Sequence, residues 1–462
     1  MKSLPKLKVG CIYLAEDTSG GKRWGFPDSK ALEDEIRFLR KRIDELKTRF
    51  ERVEFTKSFV IRSEEDVIKN SEHFIDLDLF LVFMLVGGAP AYGGGVKIYK
   101  TYGHSLEALW GFNKPIILFV RAEGERIYDG NFRALALLGE HLVEAGRSLW
   151  LLINDWEKLS KILKVMEALK MIKNLKVISI GHPCSALGSY NSMRELIKKF
   201  GVKVVLYPFN DLVKLYKEVD GKEVEEMARE LLDKSRGLLD LKEEEAWREV
   251  LKSLRLYIAL KRLMREKGAD VITINCYEGG LSTLRDVAPC LALSKLSDEG
   301  YLGVCESDFA AMAPMILARY IADKPPFLGD IVLIPDKNRL LLGHCSSPTK
   351  FKGFDRPEIP YLITTQYETG KAATTKVLIE KGEVVTIIAP SLDLNRFILA
   401  LGKVVESPNL PICRNQVVVE VDGDLEKLIE KASTDIHWIL VFGDYLDELR
   451  IACRILGIEV VG

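Results

Sequence analysis

Ala269-Asp270-Val271-Ile272-Thr273-Ile274-Asn275 runs into Cys276-Tyr277-Glu278-Gly279-Gly280, and a second apolar run, Tyr301-Leu302-Gly303-Val304, runs into Cys305-Glu306-Ser307-Asp308. Both runs are too short for helices and nearly continuous in apolar residues, as strands of a parallel sheet covered on both faces are. Leu281–Ser297 between them and Ala310–Ala322 after them carry helical patterns. Neighbouring parallel strands bring their carboxyl ends together, and ligand sites of such sheets form at that edge. Glu278, Glu306 and Asp308 are therefore expected in one crevice. Crowded carboxylates need a cation or a shared proton. Oxygen donors of this kind suit Mn²⁺, Mg²⁺ or Ca²⁺, and added imidazole shifts the choice toward Mn²⁺ or Zn²⁺.

Working outward, the same strand–helix alternation reaches the N-terminus. Lys8–Leu14, Val53–Phe55, Leu77–Val86 and Pro115–Val120 read as strands, and Ser29–Phe50 as a helix with Leu32, Ile36, Leu39, Ile43 and Leu46 along one face. A doubly wound parallel-sheet domain is expected over 1–147. A second begins at Leu149–Ile153, continues through Leu175–Ile180 and Val202–Leu206, and fills 148–328 with the carboxylate cluster. From Asp330 onward, strands split by Asp-Lys-Asn, Lys-Gly-Glu and Asp-Gly turns predict an antiparallel, β-rich, barrel-like domain over 329–462, ending in strand–helix–strand.

Composition narrows the function. The chain has 462 residues, 47% hydrophobic and 29% charged, with a net charge of −1, so bulk attraction to nucleic acid is not expected. The longest apolar run, Leu77–Gly88, falls short of the roughly 18 residues that span a bilayer, so no membrane partner is expected either. The N-terminal residues lack the apolar core of a signal peptide. Eight cysteines with no CxxC pair fit reduced thiols in a cytoplasmic protein.

Two imidazoles lie where strands end or begin. His344 closes Arg339–Gly343, and His437 opens Trp438–Phe442. Either one alone reads most simply as a hydrogen-bonded structural histidine, and Glu306 and Asp308 as acids capping a helix. His182, after the strand ending at Ile180, offers a ligand, a substrate contact or a plain loop residue; with Cys276 and Tyr277 it is a candidate for substrate binding. Gly87–Gly95 matches neither phosphate-loop nor dinucleotide spacing and reads as a turn or an oligomer contact.

The ordered set Asn275 to Glu278, Pro289 to Gly300, Cys305 to Asp308, Gly343-His344-Cys345 and His437 to Asp444 resembles the L-fucose isomerase and L-arabinose isomerase superfamily, especially its shorter fucose-isomerase-like members. The likeness runs from about residue 270 to the end; earlier residues match in architecture only. It implies an active site between the second and third domains and a divalent metal, usually Mn²⁺. The implied reaction is interconversion of an aldose and a ketose through an ene-diol. Glu278, Glu306, Asp308, His344 and His437 become the candidate ligands. Glu278 and either Glu306 or Asp308 would bind the metal and work as acid and base, with Glu278 and Asp308 the candidate catalytic pair. Moving a proton between C1 and C2 needs such groups on one face and charge stabilisation near both oxygens.

The resemblance also implies a homo-oligomer, trimer or hexamer, with Gly87–Gly95 and the segment around His104 reaching a neighbour's pocket. The competing expectation is a non-catalytic sugar-binding protein on the same scaffold.

Overall fold

The computed structural model describes residues 5–15, 29–85, 104–121, 149–184, 189–276, 287–333, 338–431 and 435–462. The Gly87–Gly95 loop, Tyr277 and Glu278 lie outside them. The chain divides into two compact units, Met1–Lys170 and Met171–Gly462. Among the described residues no helix is long and apolar enough to cross a membrane.

The first unit is built on a parallel sheet of β1 (Leu7–Ala15), β2 (Val53–Phe55), β3 (Phe59–Ile61), β4 (Leu79–Leu85), β5 (Ile116–Val120) and β6 (Leu149–Ile153). Its order is β2-β1-β4-β5-β6, with β3 also on β1. Every residue of β4 is buried, as its unbroken apolarity requires of a central strand. The helix Ser29–Lys47 buries Leu32, Ile36, Leu39, Ile43 and Leu46, the stripe read from sequence. β6 was expected to open the second domain; it pairs in parallel with β5 and completes the first sheet. Exposed Leu151 and Ile153 mark it as the edge strand.

The second unit joins a parallel sheet to an antiparallel barrel. The sheet comprises β7 (Lys176–Ile180), β8 (Lys203–Tyr207), β9 (Val271–Ile274) and β10 (Leu302–Cys305), in the order β10-β9-β7-β8. The chain winds outward from β7 to β8 and then back past β7 to β9 and β10. The topological switch point therefore lies between β7 and β9, where open α/β sheets leave a crevice at their carboxyl ends. Gly303 lets β10 press on the helix Cys290–Asp298: a Cβ there would stand 2.5 Å from the carbonyl oxygen of Leu293.

The barrel comprises β11 (Phe327–Leu333), β12 (Arg339–His344), β15 (Val384–Pro390), β16 (Arg396–Glu406), β17 (Asn415–Val421) and β18 (His437–Phe442). Following the pairings β15-β18-β11-β12-β17-β16 returns to β15, so the ring is closed, and all six contacts are antiparallel. β19 (Glu459–Val461) adds in parallel to β16. β13 (Tyr361–Thr365) and β14 (Ala373–Val377) form a separate hairpin. The long helix Glu243–Lys267 holds that hairpin, with Glu249 Oε2 accepting from the Ala372 amide at 2.9 Å and Ser253 Oγ from the Ala373 amide at 2.9 Å.

Ile178 and Ile272 of the sheet share one apolar cluster with Ile387, Trp438 and Leu440 of the barrel. The regions expected as second and third domains are thus one compact unit with a common core. The fold class is as expected, parallel-sheet α/β regions followed by a β barrel.

Candidate metal and active site

β9 and β10 lie side by side in parallel, with Cys305 opposite Ile274. Beyond β9, buried Asn275 ties the neighbouring tip by donating its Nδ2 to the His182 carbonyl at 2.9 Å. Beyond β10 the chain makes an unusual turn. Glu306 and Ser307 are consecutive left-handed residues, with φ of 61° and 50°. Each such non-glycine conformation costs on the order of 1 kcal/mol, and strain of this kind persists only where the surroundings over-determine it. Ser307 is fully buried, with its carbonyl accepting from the Cys184 amide at 3.4 Å.

The turn separates two acids only two residues apart. Asp308 turns back as the N-cap of the helix Phe309–Ala322, its Oδ1 accepting from the amides of Ala310 (2.8 Å) and Ala311 (3.0 Å). Glu306 faces a cavity of about 550 Å³, whose walls also include Cys276, Asp330, His344, Gln366 and Glu368.

The barrel supplies the other wall. Its register sets Asp330 of β11 opposite Gly343 of β12 on one side and His437 of β18 on the other. His344, the last residue of β12, is buried and points Nε2 at Glu306 Oε1, 3.7 Å away. Its Nδ1 accepts from the Ser346 amide (3.2 Å) and meets the Ser346 hydroxyl at 2.9 Å; a backbone amide only donates, so the proton of the neutral ring sits on Nε2, toward Glu306. His437 is fully buried, and its Nδ1 donates to Asp308 Oδ2 at 2.7 Å. An ionised carboxylate only accepts, so the proton of the neutral ring sits on Nδ1 and the Nε2 lone pair is bare.

That bare Nε2 is buried without a hydrogen-bond partner, 3.2 Å from Asp330 Oδ1 and 3.7 Å from Glu306 Oε2. A lone pair aimed at two carboxylates is repulsive unless a proton or a cation lies between them. Burial alone would lower the imidazolium value of His437, but the hydrogen bond to Asp308 and the neighbouring carboxylates of Asp330 and Glu306 outweigh it and hold the ring well above the ordinary range. His344 is raised likewise, burial being outweighed by Glu306 and Asp330. Burial would raise Asp330; the adjoining imidazoles of His437 and His344 pull its carboxyl down instead.

One donor atom each from Glu306, His344 and His437 lies within 4.8 Å of the others. Ligands about 2.1 Å from one ion stand no more than about 4.2 Å apart, so these three need to close only slightly. The donor set, carboxylate oxygen with imidazole nitrogen, fits Mn²⁺ or Zn²⁺.

A second layer stands behind His437. Asp435 is buried within 4.8 Å of Asp308 and His437. Burial and the neighbouring Asp308 charge push its carboxyl up to about 8, so it stays protonated at neutral pH.

Of the residues singled out from sequence, the structure brings Glu306, His344 and His437 to one point and places Cys276 on the cavity wall. Asp308 stands on the far side of His437 from that point, bonded to Nδ1. His182 is exposed at the end of β7, its Nδ1 2.9 Å from the Tyr190 hydroxyl, and is not among the described cavity-lining residues. Asp330 and Asp435 were missed. The available signal for Asp330 was a lone carboxylate inside the apolar run Phe327–Leu333.

Residues 194–324 match the family model described as the L-arabinose isomerase central domain. A sulfoquinovose isomerase of Alkalicoccus urumqiensis is 26% identical over 315 residues, 66% of this chain and 68% of that protein. A sulfoquinovose isomerase of Priestia aryabhattai is 24% identical over 314 residues, covering 66% and 68%. An L-arabinose isomerase of a Nocardioides species is 25% identical over 235 residues, 48% of this chain and 46% of its own. The matched central segment runs through β8, β9 and β10 and so includes Glu306 and Asp308. In sequence the chain is similar to members of the arabinose and fucose isomerase-like superfamily, and its relatives are named sugar isomerases, which supports an isomerase.

Proposed function

We propose that this isomerase is metal-dependent and interconverts an aldose and a ketose through an ene-diol, taking a monosaccharide in the cavity at the tips of β9 and β10. The observation that carries the reading is the buried, unpartnered Nε2 of His437 facing Glu306 and Asp330. Glu306, His344 and His437 would hold the cation, with Glu278 as the further ligand on sequence grounds. A bound Mn²⁺ supplies Lewis acidity next to the sugar's carbonyl and hydroxyl oxygens, stabilising the charge that develops there.

The chain's own groups do the rest. Glu306, with Glu278 as its partner on sequence grounds, is proposed to take a proton from one carbon and return it to the next. Asp308, paired with Glu278 as a catalytic acid or base on sequence grounds, is proposed instead as a positioning residue. Both its oxygens are engaged and it is fully buried, so it fixes the His437 tautomer and does not meet substrate. Protonated Asp435 limits the negative charge behind it. Cys276 and Tyr277 are proposed at the substrate wall, with His182 outside it. By likeness to the superfamily, the protein is proposed to be a cytoplasmic homo-oligomer, trimer or hexamer, a state that light scattering reads directly.

The test is turnover of a panel including sulfoquinovose, L-arabinose and L-fucose by protein stripped of metal and reloaded with Mn²⁺, with products followed by NMR in deuterated water. Ketose formation that depends on Mn²⁺, with solvent deuterium entering at C1 of the ketose, is the expected result. No ketose from any sugar, together with no metal retained after dialysis, overturns the proposal.

A further inference from the structure

Six of the chain's eight cysteines, Cys184, Cys276, Cys290, Cys305, Cys345 and Cys413, line the same cavity as Glu306. None of them forms a disulfide with another described residue. Five of them fall into two groups with different surroundings. Cys290, Cys345 and Cys413 pack with Ala288 and Ala372 in a small apolar cluster, which is ordinary use of cysteine as a compact hydrophobe. Cys276 and Cys305 are placed differently. Their sulfurs stand 3.8 Å apart on neighbouring strand tips, and a carboxylate oxygen of Glu306 lies within 4.8 Å of both.

Glu306 is therefore shared by two donor sets. Its partners in one are the imidazole nitrogens of His344 and His437; its partners in the other are two sulfurs. Imidazole with carboxylate suits Mn²⁺, whereas thiolates select softer ions such as Zn²⁺ and Cd²⁺. We propose that Cys276, Cys305 and Glu306 form a second cation site, specific for thiophilic divalent ions of the zinc and cadmium class, adjoining the histidine site. On loading, each sulfur–cation bond replaces an S–H bond and the protons pass to solvent. Because Glu306 is common to both sets, a soft cation bound there draws this carboxylate away from the two histidines. The binding itself does not depend on the isomerase reading; only its effect on turnover does.

The experiment adds Cd²⁺ to the reduced, full-length protein with Mn²⁺ present and follows thiolate-to-cadmium charge-transfer absorption. A band saturating at a single equivalent, absent in C276S and in C305S but kept in C413S and in H344Q, is the expected result. Cadmium-113 NMR of the unsubstituted protein gives a second reading that needs no variant: a resonance in the range of mixed sulfur and oxygen ligation supports the site. No band in the unsubstituted protein overturns the proposal, as does a band that survives in the C276S/C305S double variant. A resonance typical of oxygen and nitrogen ligands alone does the same. Where turnover is measurable, Zn²⁺ should suppress it in the unsubstituted protein and to a lesser extent in C276S.

Discussion

Replacing Asp308 by asparagine separates the two jobs that this side chain performs. Asparagine is as good an N-cap as aspartate, so its Oδ1 can still accept from the Ala310 and Ala311 amides and the helix Phe309–Ala322 should keep its start. The other arm changes sign. An amide NH₂ now faces His437 Nδ1 across 2.7 Å, and two donors cannot share that contact. The ring relieves the clash by moving its proton to Nε2, which places an N–H among Glu306, Asp330 and the expected cation. Losing an orienting partner of this kind weakens metal affinity by about 10–100-fold, or about 1.4–2.7 kcal/mol. The folding cost should be about 1.5–3 kcal/mol, the range for losing a hydrogen bond to a charged group. Mn²⁺ titration of D308N, read by calorimetry with thermal melts as the folding control, checks both numbers. Unchanged Mn²⁺ affinity would refute the tautomer argument. Unchanged affinity with turnover abolished would go further and return Asp308 to the catalytic pair.

The acids behind the site predict a pH dependence of stability. Burial pushes Asp298 up to about 7, and burial with the Asp308 charge pushes Asp435 to about 8, against about 3.9 in an unfolded chain. Between those values the native state keeps protons that the unfolded chain has released, so stability falls as pH rises from about 4 toward 8 and then levels off. The raised imidazoles extend the loss above about 6.5. Metal-free protein should melt lower at pH 8.5 than at pH 5.5, and D435N should flatten the profile; identical profiles for the two proteins would count against it. Ser307, at φ 50°, should accept glycine with little change in melting, whereas Ser307→Val, β-branched and buried, should cost about 2–3 kcal/mol in urea unfolding. Glu368 lines the cavity as an exposed carboxylate, so Glu368→Gln should raise kcat/KM a few-fold for a sulfonated sugar and leave that for a neutral aldose nearly unchanged. Equal effects on both sugars would show that its charge does not reach the substrate.

Much of this architecture is written locally. The unbroken apolarity of β4, the helical stripe from Leu32 to Leu46 and the turn chemistry after Asp330 each dictate an element without outside help. Their partners are another matter. Leu149–Ile153 reads correctly as a strand, but apolarity cannot say which sheet a strand joins, and β6 turned out to edge the first. The common core of the second unit was invisible for the same reason, since Ile272 and Trp438 meet only once the barrel has closed.

In the site, residue type pointed to Glu306, His344 and His437 as a group that the fold brings together. Glu306 and Asp308 could not be told apart, because what separates them is two left-handed backbone residues between strand and helix. Asp330 was hidden by register. Nothing near it in sequence is chemical, and its neighbour His437 lies 107 positions on, opposite it across a ladder.

The closure of the six-stranded barrel bears on how such a site can diversify. A ring without a free edge cannot let one strand slip past the next, so β11, β12 and β18 carry Asp330, His344 and His437 as a single stiff bracket. Sequence drift in that bracket would break all three positions at once. Variation in what the enzyme accepts is therefore confined to the opposite wall, where strand tips and their loops can change length and chemistry one at a time.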